Sequence, residues 1–168
     1  LEGVDIAIDF SIPEAAVTNI SNCLNAGVPV VSGTTGWLDD YDKITELCKK
    51  ENGAFLYASN FSVGVNLFFE LNRQLAKMMS RFDDYKVSME EVHHIHKLDA
   101  PSGTAITLAE GISKNSKLNG WVLDKKEEDK ITINSIREGE VPGTHTITYG
   151  SEVDEIKIEH KAHSRNGF

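Results

Sequence analysis

The first sixty or so residues alternate short apolar runs with amphipathic stretches. Val4 to Asp9 reads as a strand, and after Phe10-Ser11-Ile12-Pro13 comes a helix on which Ala16, Ile20, Cys23 and Leu24 share a face. Pro13 stands at the helix start, where its missing N–H costs nothing, and Gly27 closes the helix. Val28 to Ser32 is apolar enough for a strand buried on both faces. The cycle then repeats. Asp39 and Asp40 favour a helix N-terminus, Ile44, Leu47 and Cys48 line one face, Gly53 ends the helix, and Ala54 to Ala58 is the next strand. Such alternation with short connections predicts an α/β layer, part of a Rossmann-like parallel sheet.

From Ser62, itself a candidate helix cap, the pattern changes. A long helix follows with a stripe of Phe68, Leu71, Leu75, Met78 and Met79. Tyr85, Val87 and Met89 then alternate with Lys86, Ser88 and Glu90, the period of a half-buried strand, and Ala105, Leu108, Ala109 and Ile112 return to helical spacing. Lys114 to Lys130 is polar, and its run Lys125-Lys126-Glu127-Glu128-Asp129 reads as a solvated loop. Three alternating segments follow, around Ile131 and Ile133, Ile147 and Tyr149, and Ile156 to Ala162, with Gly139, Pro142 and Gly143 turning the chain after the first. The expected organisation is an α/β domain over residues 1–61, an α+β domain with a mixed sheet over 62–163, and 164–168 returning toward the first domain, with Arg165 at the interface.

Charge narrows the function classes. A formal net charge of -9 with no basic run argues against nucleic acid and against an anionic membrane surface. No apolar run approaches the length of a membrane span and no signal peptide is visible. Cys23 and Cys48 fall on apolar helical positions and read as buried thiols. The first residue is Leu1, so a fragment or the ordered part of a longer chain is expected.

The chemistry concentrates between the Tyr85 strand and the Ala105 helix, in Glu91-Val92-His93-His94-Ile95-His96-Lys97-Leu98-Asp99-Ala100-Pro101-Ser102-Gly103-Thr104-Ala105. Gly103 and Thr104 fall in the first helical turn, where unpaired N–H groups and the positive dipole end suit a carboxylate or phosphate. The hydroxyls of Ser102 and Thr104 add donors. His94 and Lys97 bring positive charge or hydrogen bonds to the same ligand, and His93 exchanges protons near neutral pH. If the strand stays extended through the pair, His93 and His94 point to opposite sides.

The run E-x-H-H-x-x-K-x-D-A-P-S-G-T-A at Glu91 to Ala105 resembles the signature of the 4-hydroxy-tetrahydrodipicolinate reductase family, nicotinamide-dependent enzymes of diaminopimelate and lysine biosynthesis. D-F-S-x-P at Asp9 to Pro13, S-N-F-S-x-G-V-N at Ser59 to Asn66, S-I-R-x-G-x-V-x-G-x-H at Ser135 to His145 and H-K-A-x-S-R at His160 to Arg165 resemble it in the same order. The resemblance implies a cytoplasmic homotetramer that reduces a small dicarboxylate with NADH or NADPH, with residues 1–61 the remainder of the dinucleotide-binding domain and 62–163 the substrate-binding and oligomerisation domain. His93 matches the family's proton donor and Lys97 its second proton donor or cation; His94, Ser102, Gly103 and Thr104 match the substrate contacts. Gly33, Thr34, Thr35 and Ala58, Ser59, Asn60 and Phe61 match the loops holding the nicotinamide half of the cofactor. The family's Gly-rich pyrophosphate loop is expected upstream, since this sequence holds no G-x-G-x-x-G, and cofactor preference is then read outside it.

Two readings compete. A hydrolase with zinc on His93, His94 and His96 lacks a familiar ligand spacing, because adjacent strand residues face apart. An oligomerising or interaction module predicts no binding of a dicarboxylate such as pyridine-2,6-dicarboxylate.

Overall fold

The computed structural model describes residues 1–167. The chain forms two compact units, Leu1–Phe61 and a second beginning at Ser62. Within the 164–168 tail, Arg165 is exposed and Phe168 lies outside the described residues.

In the first unit, β1 (Ala7–Asp9), β2 (Val30–Ser32) and β3 (Phe55–Tyr57) pair in parallel in that order, linked through α1 (Pro13–Asn25) and α2 (Tyr41–Lys50). The buried face of α1 is Ala16, Ile20, Cys23 and Leu24, as its spacing predicts. The strands are shorter than their apolar runs, because pairing is confined to three residues of each. Val31 is only half-buried, and Ile8 and Leu56 remain exposed on the sheet, so burial on both faces does not hold for β2. Trp37 is buried; its indole N–H donates to Thr34 O at 2.6 Å and its ring meets Tyr57 edge-on.

The second unit is a mixed sheet of β4 (Lys86–His93), β5 (Trp121–Leu123), β6 (Ile131–Arg137), β7 (Thr144–Gly150) and β8 (Glu155–Lys161), in the order β5-β6-β4-β7-β8. The helices α3 (Val63–Met79) and α4 (Gly103–Ser113) share its core. Two expectations need correction. The buried face of α3 is Val65, Phe68, Phe69, Asn72, Leu75, Ala76 and Met79, whereas Leu71 and Met78 are exposed. Tertiary packing chose the stripe that includes Asn72, whose amide donates to Leu108 O on α4 at 2.9 Å, so the apolar periodicity alone mispoints the helix. The polar 114–130 stretch also contains β5, which lies parallel to β6 through Trp121, Val122 and Leu123.

Register decides where the chemistry falls. Leu123, Ile133, Met89, Ile147 and Ile158 form one apolar row across all five strands. Two residues further along the same face the row becomes Ser135, Glu91, His145 and His160, and the next pair is Arg137 beside His93. The core face thus turns from apolar to ionisable within one step of the pleat.

Candidate active site

Glu91 sits at the centre of the polar row and is fully buried. Its Oε1 accepts the Ser102 N–H at 3.0 Å, the Ser135 hydroxyl, and Arg137 Nη2 at 3.3 Å. Its Oε2 faces His93 Nδ1 at 3.3 Å and His145 Nε2 at 3.6 Å. Burial alone would raise this carboxyl; the donors from His145, His93, Ser102 and Ser135 outweigh it and hold the group far below the usual carboxylate range. Glu91 is therefore an anion at the heart of the unit.

His93 ends β4. Its ring is buried and stands edge-on to His145, with centroids 5.1 Å apart. A Cβ on Gly143 would lie 3.1 Å from His93 Nε2, and Gly143 has φ 154°, so a side chain there is both strained and against the ring. Burial pushes the His145 ring toward its neutral form, against the pull of Glu91.

The loop beyond His93 is fastened by Arg137, which donates to Lys97 O at 3.4 Å and to Asp99 O. Lys97 Nζ meets both oxygens of Asp99 at 2.8 Å. Burial works to raise Asp99, but the Lys97 ammonium holds it below its ordinary value. His94 is half-buried, with its ring 6.0 Å from that of His96, while His96 is exposed and reaches Glu140 at 3.1 Å. A common ligand for His93, His94 and His96 has no counterpart in this arrangement.

Ser102 caps α4. Its hydroxyl accepts the Ala105 N–H at 3.2 Å and meets His145 Nε2 at 3.1 Å, and its own N–H goes to Glu91. The side chain expected to add a donor for an anion is thus already engaged in holding the helix. Gly103 and Thr104 occupy the first two positions after that cap, and nothing lies within 4 Å of an ideal Cβ on Gly103. The helix start is open for a carboxylate at its backbone.

Glu91, His93 and His145 place one ligand atom each within 4.8 Å of one another, close enough to surround a cation. The residues fit a metal poorly. Arg137, itself a cation, stands 3.3 Å from the same carboxylate, and His145 Nε2 already meets the Ser102 hydroxyl at 3.1 Å.

The expected nicotinamide loops both leave the carboxyl ends of adjacent parallel strands, where ligands bind in such sheets. A Cβ on Gly33 would overlap the Phe10 ring, and Phe10 in turn meets Phe61 at 5.8 Å. The ends of β1, β2 and β3 therefore converge on one rim. Within it the Thr34 hydroxyl is taken by Asp9 at 2.7 Å and by the Ser11 N–H at 2.8 Å, and Thr34 is buried. Thr35 and Ser59 are exposed, Ala58, Asn60 and Phe61 half-buried.

Sequence reasoning gave no site role to Glu91, Ser135, Arg137 or His145, and read Gly143 only as a turn residue. A signal existed: Val87 and Met89, Ile131 and Ile133, and Tyr149 and Ile147 are alternating core positions, and the same parity continues to Glu91 and His93, Ser135 and Arg137, and His145. Polar residues in phase with a buried face are the ones to ask about.

Comparison with known proteins agrees in both units. The family described as "Dihydrodipicolinate reductase, N-terminus" matches residues 1–61, and "Dihydrodipicolinate reductase, C-terminus" matches residues 64–168. The chain is 62% identical over 166 residues to the 4-hydroxy-tetrahydrodipicolinate reductase of Christiangramia forsetii, covering 98% of this chain and 70% of that protein. It is 39% identical to the enzyme of the same name from Methanopyrus kandleri, with 98% and 62% covered. The solved structure of dipicolinate-bound dihydrodipicolinate reductase from Paenisporosarcina sp. TG-14 superposes with a TM-score of 0.74 at 27% identity, covering 98% of this chain and 64% of that one. The chain thus spans between 62% and 70% of these relatives' lengths. With a Rossmann-like parallel layer, a mixed sheet, and both family matches in register with them, the chain belongs to the 4-hydroxy-tetrahydrodipicolinate (dihydrodipicolinate) reductase family, NAD(P)H-dependent oxidoreductases of diaminopimelate and lysine biosynthesis.

Proposed function

We propose that the full-length protein converts 4-hydroxy-tetrahydrodipicolinate, NAD(P)H and a proton into tetrahydrodipicolinate, NAD(P)+ and water. The observation that carries this reading is the buried His93 imidazole, in contact with the Glu91 carboxylate, on the unit whose helix α4 opens toward solvent at Gly103.

When bound, the nicotinamide supplies the hydride. The chain's own residues bind, orient and protonate. His93 is the proton donor. Lys97 is the second proton donor or the cation that offsets charge developing on the substrate. A substrate carboxylate takes the Gly103 and Thr104 amides, with Ser102 holding that turn in place and His94 beside it. Gly33, Thr34, Thr35 and Ala58 to Phe61 hold the nicotinamide half of the cofactor, Thr34 by bracing its loop. Since Lys97 is chelated by Asp99, an incoming carboxylate competes with Asp99 for the ammonium.

The direct test is oxidation of NADH and of NADPH by the full-length protein with freshly generated substrate, beside His93→Gln. The variant should lose roughly 10²-fold or more in kcat with a modest change in substrate KM, the usual scale for a general acid. A near-normal kcat would remove His93 from its role.

The protein is also proposed to be a cytoplasmic homotetramer. Among the described residues no helix is long and apolar enough to cross a membrane. The core helices α3 and α4 pack on the face that carries Met89 and Ile147, while Ser88, Glu90 and Asn134, of opposite parity, are exposed. That second face is open to partner copies. A monomeric mass in solution would refute the tetramer.

A further inference from the structure

We propose that Glu91 is a positioning residue of this site: one buried carboxylate sets the His93 imidazole, the loop that carries Lys97, and the first turn of α4 in a single arrangement. The proposal rests on the reductase reading for what the site does, but not for how it is held.

Its contacts run to four separate elements. Ser102 begins α4, Ser135 and Arg137 belong to β6, His93 to the end of β4 itself and His145 to β7. Arg137 passes the constraint on, because the guanidinium that meets Glu91 also donates to the carbonyls of Lys97 and Asp99. The planar fork of arginine suits this, since it holds one acceptor and the loop at fixed angles.

The carboxylate also fixes where protons sit. An ionised carboxylate only accepts, so of the two ring nitrogens it favours hydrogen on the nearer one, His93 Nδ1, which stands 3.3 Å from Oε2 but outside hydrogen-bond geometry. His93 Nε2 is then the atom from which a proton is given or taken. That atom faces Gly143, which has no side chain to cover it. The groups around the ring are the Glu91 carboxylate on its own strand, His145 on β7 and Arg137 across the register on β6. A proton-donating imidazolium beside two cationic or neutral neighbours needs the one anion among them.

An isosteric amide separates charge from shape. In Glu91→Gln the side-chain oxygen continues to accept from Ser102 and Ser135, and the NH2 group turns toward His93 and His145. His93 Nδ1 then becomes the acceptor, the ring's single proton moves to Nε2, and the imidazolium faces a donor. Full-length Glu91→Gln should therefore lose roughly 10-fold to 100-fold in kcat, with nucleotide KM within about threefold of wild type, the scale on which a carboxylate orienting a histidine acts. Nitrogen-15 imidazole NMR of the same protein should show the protonated nitrogen of neutral His93 moving from Nδ1 to Nε2. Unchanged kcat with an unchanged tautomer overturns the proposal. So does a fall in kcat with the tautomer unchanged, since a damaged fold then explains the rate. One equivalent of tightly held zinc in the wild type would overturn it too, making Glu91 a ligand.

If Glu91→Gln does not fold, Arg137→Met tests the second arm. It should raise substrate KM about tenfold and lower kcat as well, because the loop that carries Lys97 is freed, while the nitrogen-15 signal still shows neutral His93 protonated at Nδ1; wild-type KM overturns the proposal. The tautomer measurement needs no turnover, so it judges Glu91 even if His93→Gln retains full activity and the reductase reading fails.

Discussion

Among the described residues, each unit of this protein buries one carboxylate near the end of a strand, and the two are surrounded very differently. Asp9, at the end of β1, accepts hydrogen bonds from Ser11 Oγ at 2.8 Å, Asn19 Nδ2 at 3.0 Å, Ser32 Oγ at 3.1 Å and Thr34 Oγ1 at 2.7 Å. Glu91, near the end of β4, gathers two imidazoles and a guanidinium besides Ser135 and a backbone N–H. Burial opposes the charge in both, and hydrogen bonds hold both carboxyls below their ordinary values. The physics that keeps an anion buried is therefore the same. What differs is whether the donors titrate. Hydroxyls and an amide make Asp9 a latch that ties α1 and the Thr34 loop to the sheet. Imidazoles surround Glu91 with side chains able to carry a proton, and all six histidines of the sequence, at 93, 94, 96, 145, 160 and 163, lie in the second unit.

Glu91→Ala should break the comparison most visibly. It leaves Arg137 and the buried imidazoles without their anion, at a cost of about 3–5 kcal/mol. The two tryptophans lie one in each unit, Trp37 in the first and Trp121 in the second, so urea unfolding followed through Trp121 in a Trp37→Phe background reads this loss. A change under about 1 kcal/mol would mean that the carboxylate is not the hub its contacts suggest. Asp9→Ala should cost somewhat less, about 2–3 kcal/mol, because neutral donors are left unpaired and no cation is. Its effect should appear first in the Trp37 signal. A loss larger than that of Glu91→Ala would reverse the ranking of latch and hub.

Much of the fold was legible because local rules and packing agreed. The face of α1 follows from spacing alone, as does the cap at Ser62, whose side chain accepts the Val65 N–H. The reductase signature likewise pointed to the loop where His93 and Lys97 lie. Legibility ended where a partner across the sheet decided the matter. Nothing within β4 says that Glu91 will meet Ser135 and His145, since those pairings are set by strand register over separations of 44 and 54 residues. Asn72 was hidden for a similar reason: only a neighbouring helix carbonyl makes an amide welcome on a core face. β5 was masked by its polar flanks, because three residues carry too little periodicity to stand out.

Acid should separate the units before it unfolds either. His145 has a folded pKa lowered from its ordinary 6.5, mainly by burial. The unfolded chain then binds the proton first, so this stabilisation is complete above the unfolded value and is lost as pH falls through the folded one. The Asp9 and Glu91 contributions persist until pH drops below their ordinary values of 3.8 and 4.5. Between pH 6.5 and 5 the Trp121 transition should weaken, by at most about 1.4 kcal/mol per pH unit for one proton, while the Trp37 transition stays level. His145→Gln should flatten the difference. Equal slopes in the two signals would show that the imidazole makes no distinction between the units.

The smallest effect sharpens the comparison most, because it removes the same chemical group from each carboxylate. Ser11→Ala deletes one hydroxyl donor from Asp9, and Ser135→Ala deletes one from Glu91. Both should cost about 1 kcal/mol in their own unit. If titrating donors are what distinguish Glu91, Ser135→Ala should leave kcat within about twofold of wild type, since the carboxylate keeps its charge, Ser102, Arg137 and both imidazoles. A fall as deep as that expected for Glu91→Gln would place the sensitivity in the orientation of the carboxylate rather than in its charge, and the hydroxyl of Ser135 would then belong to the machinery that a latch does not need.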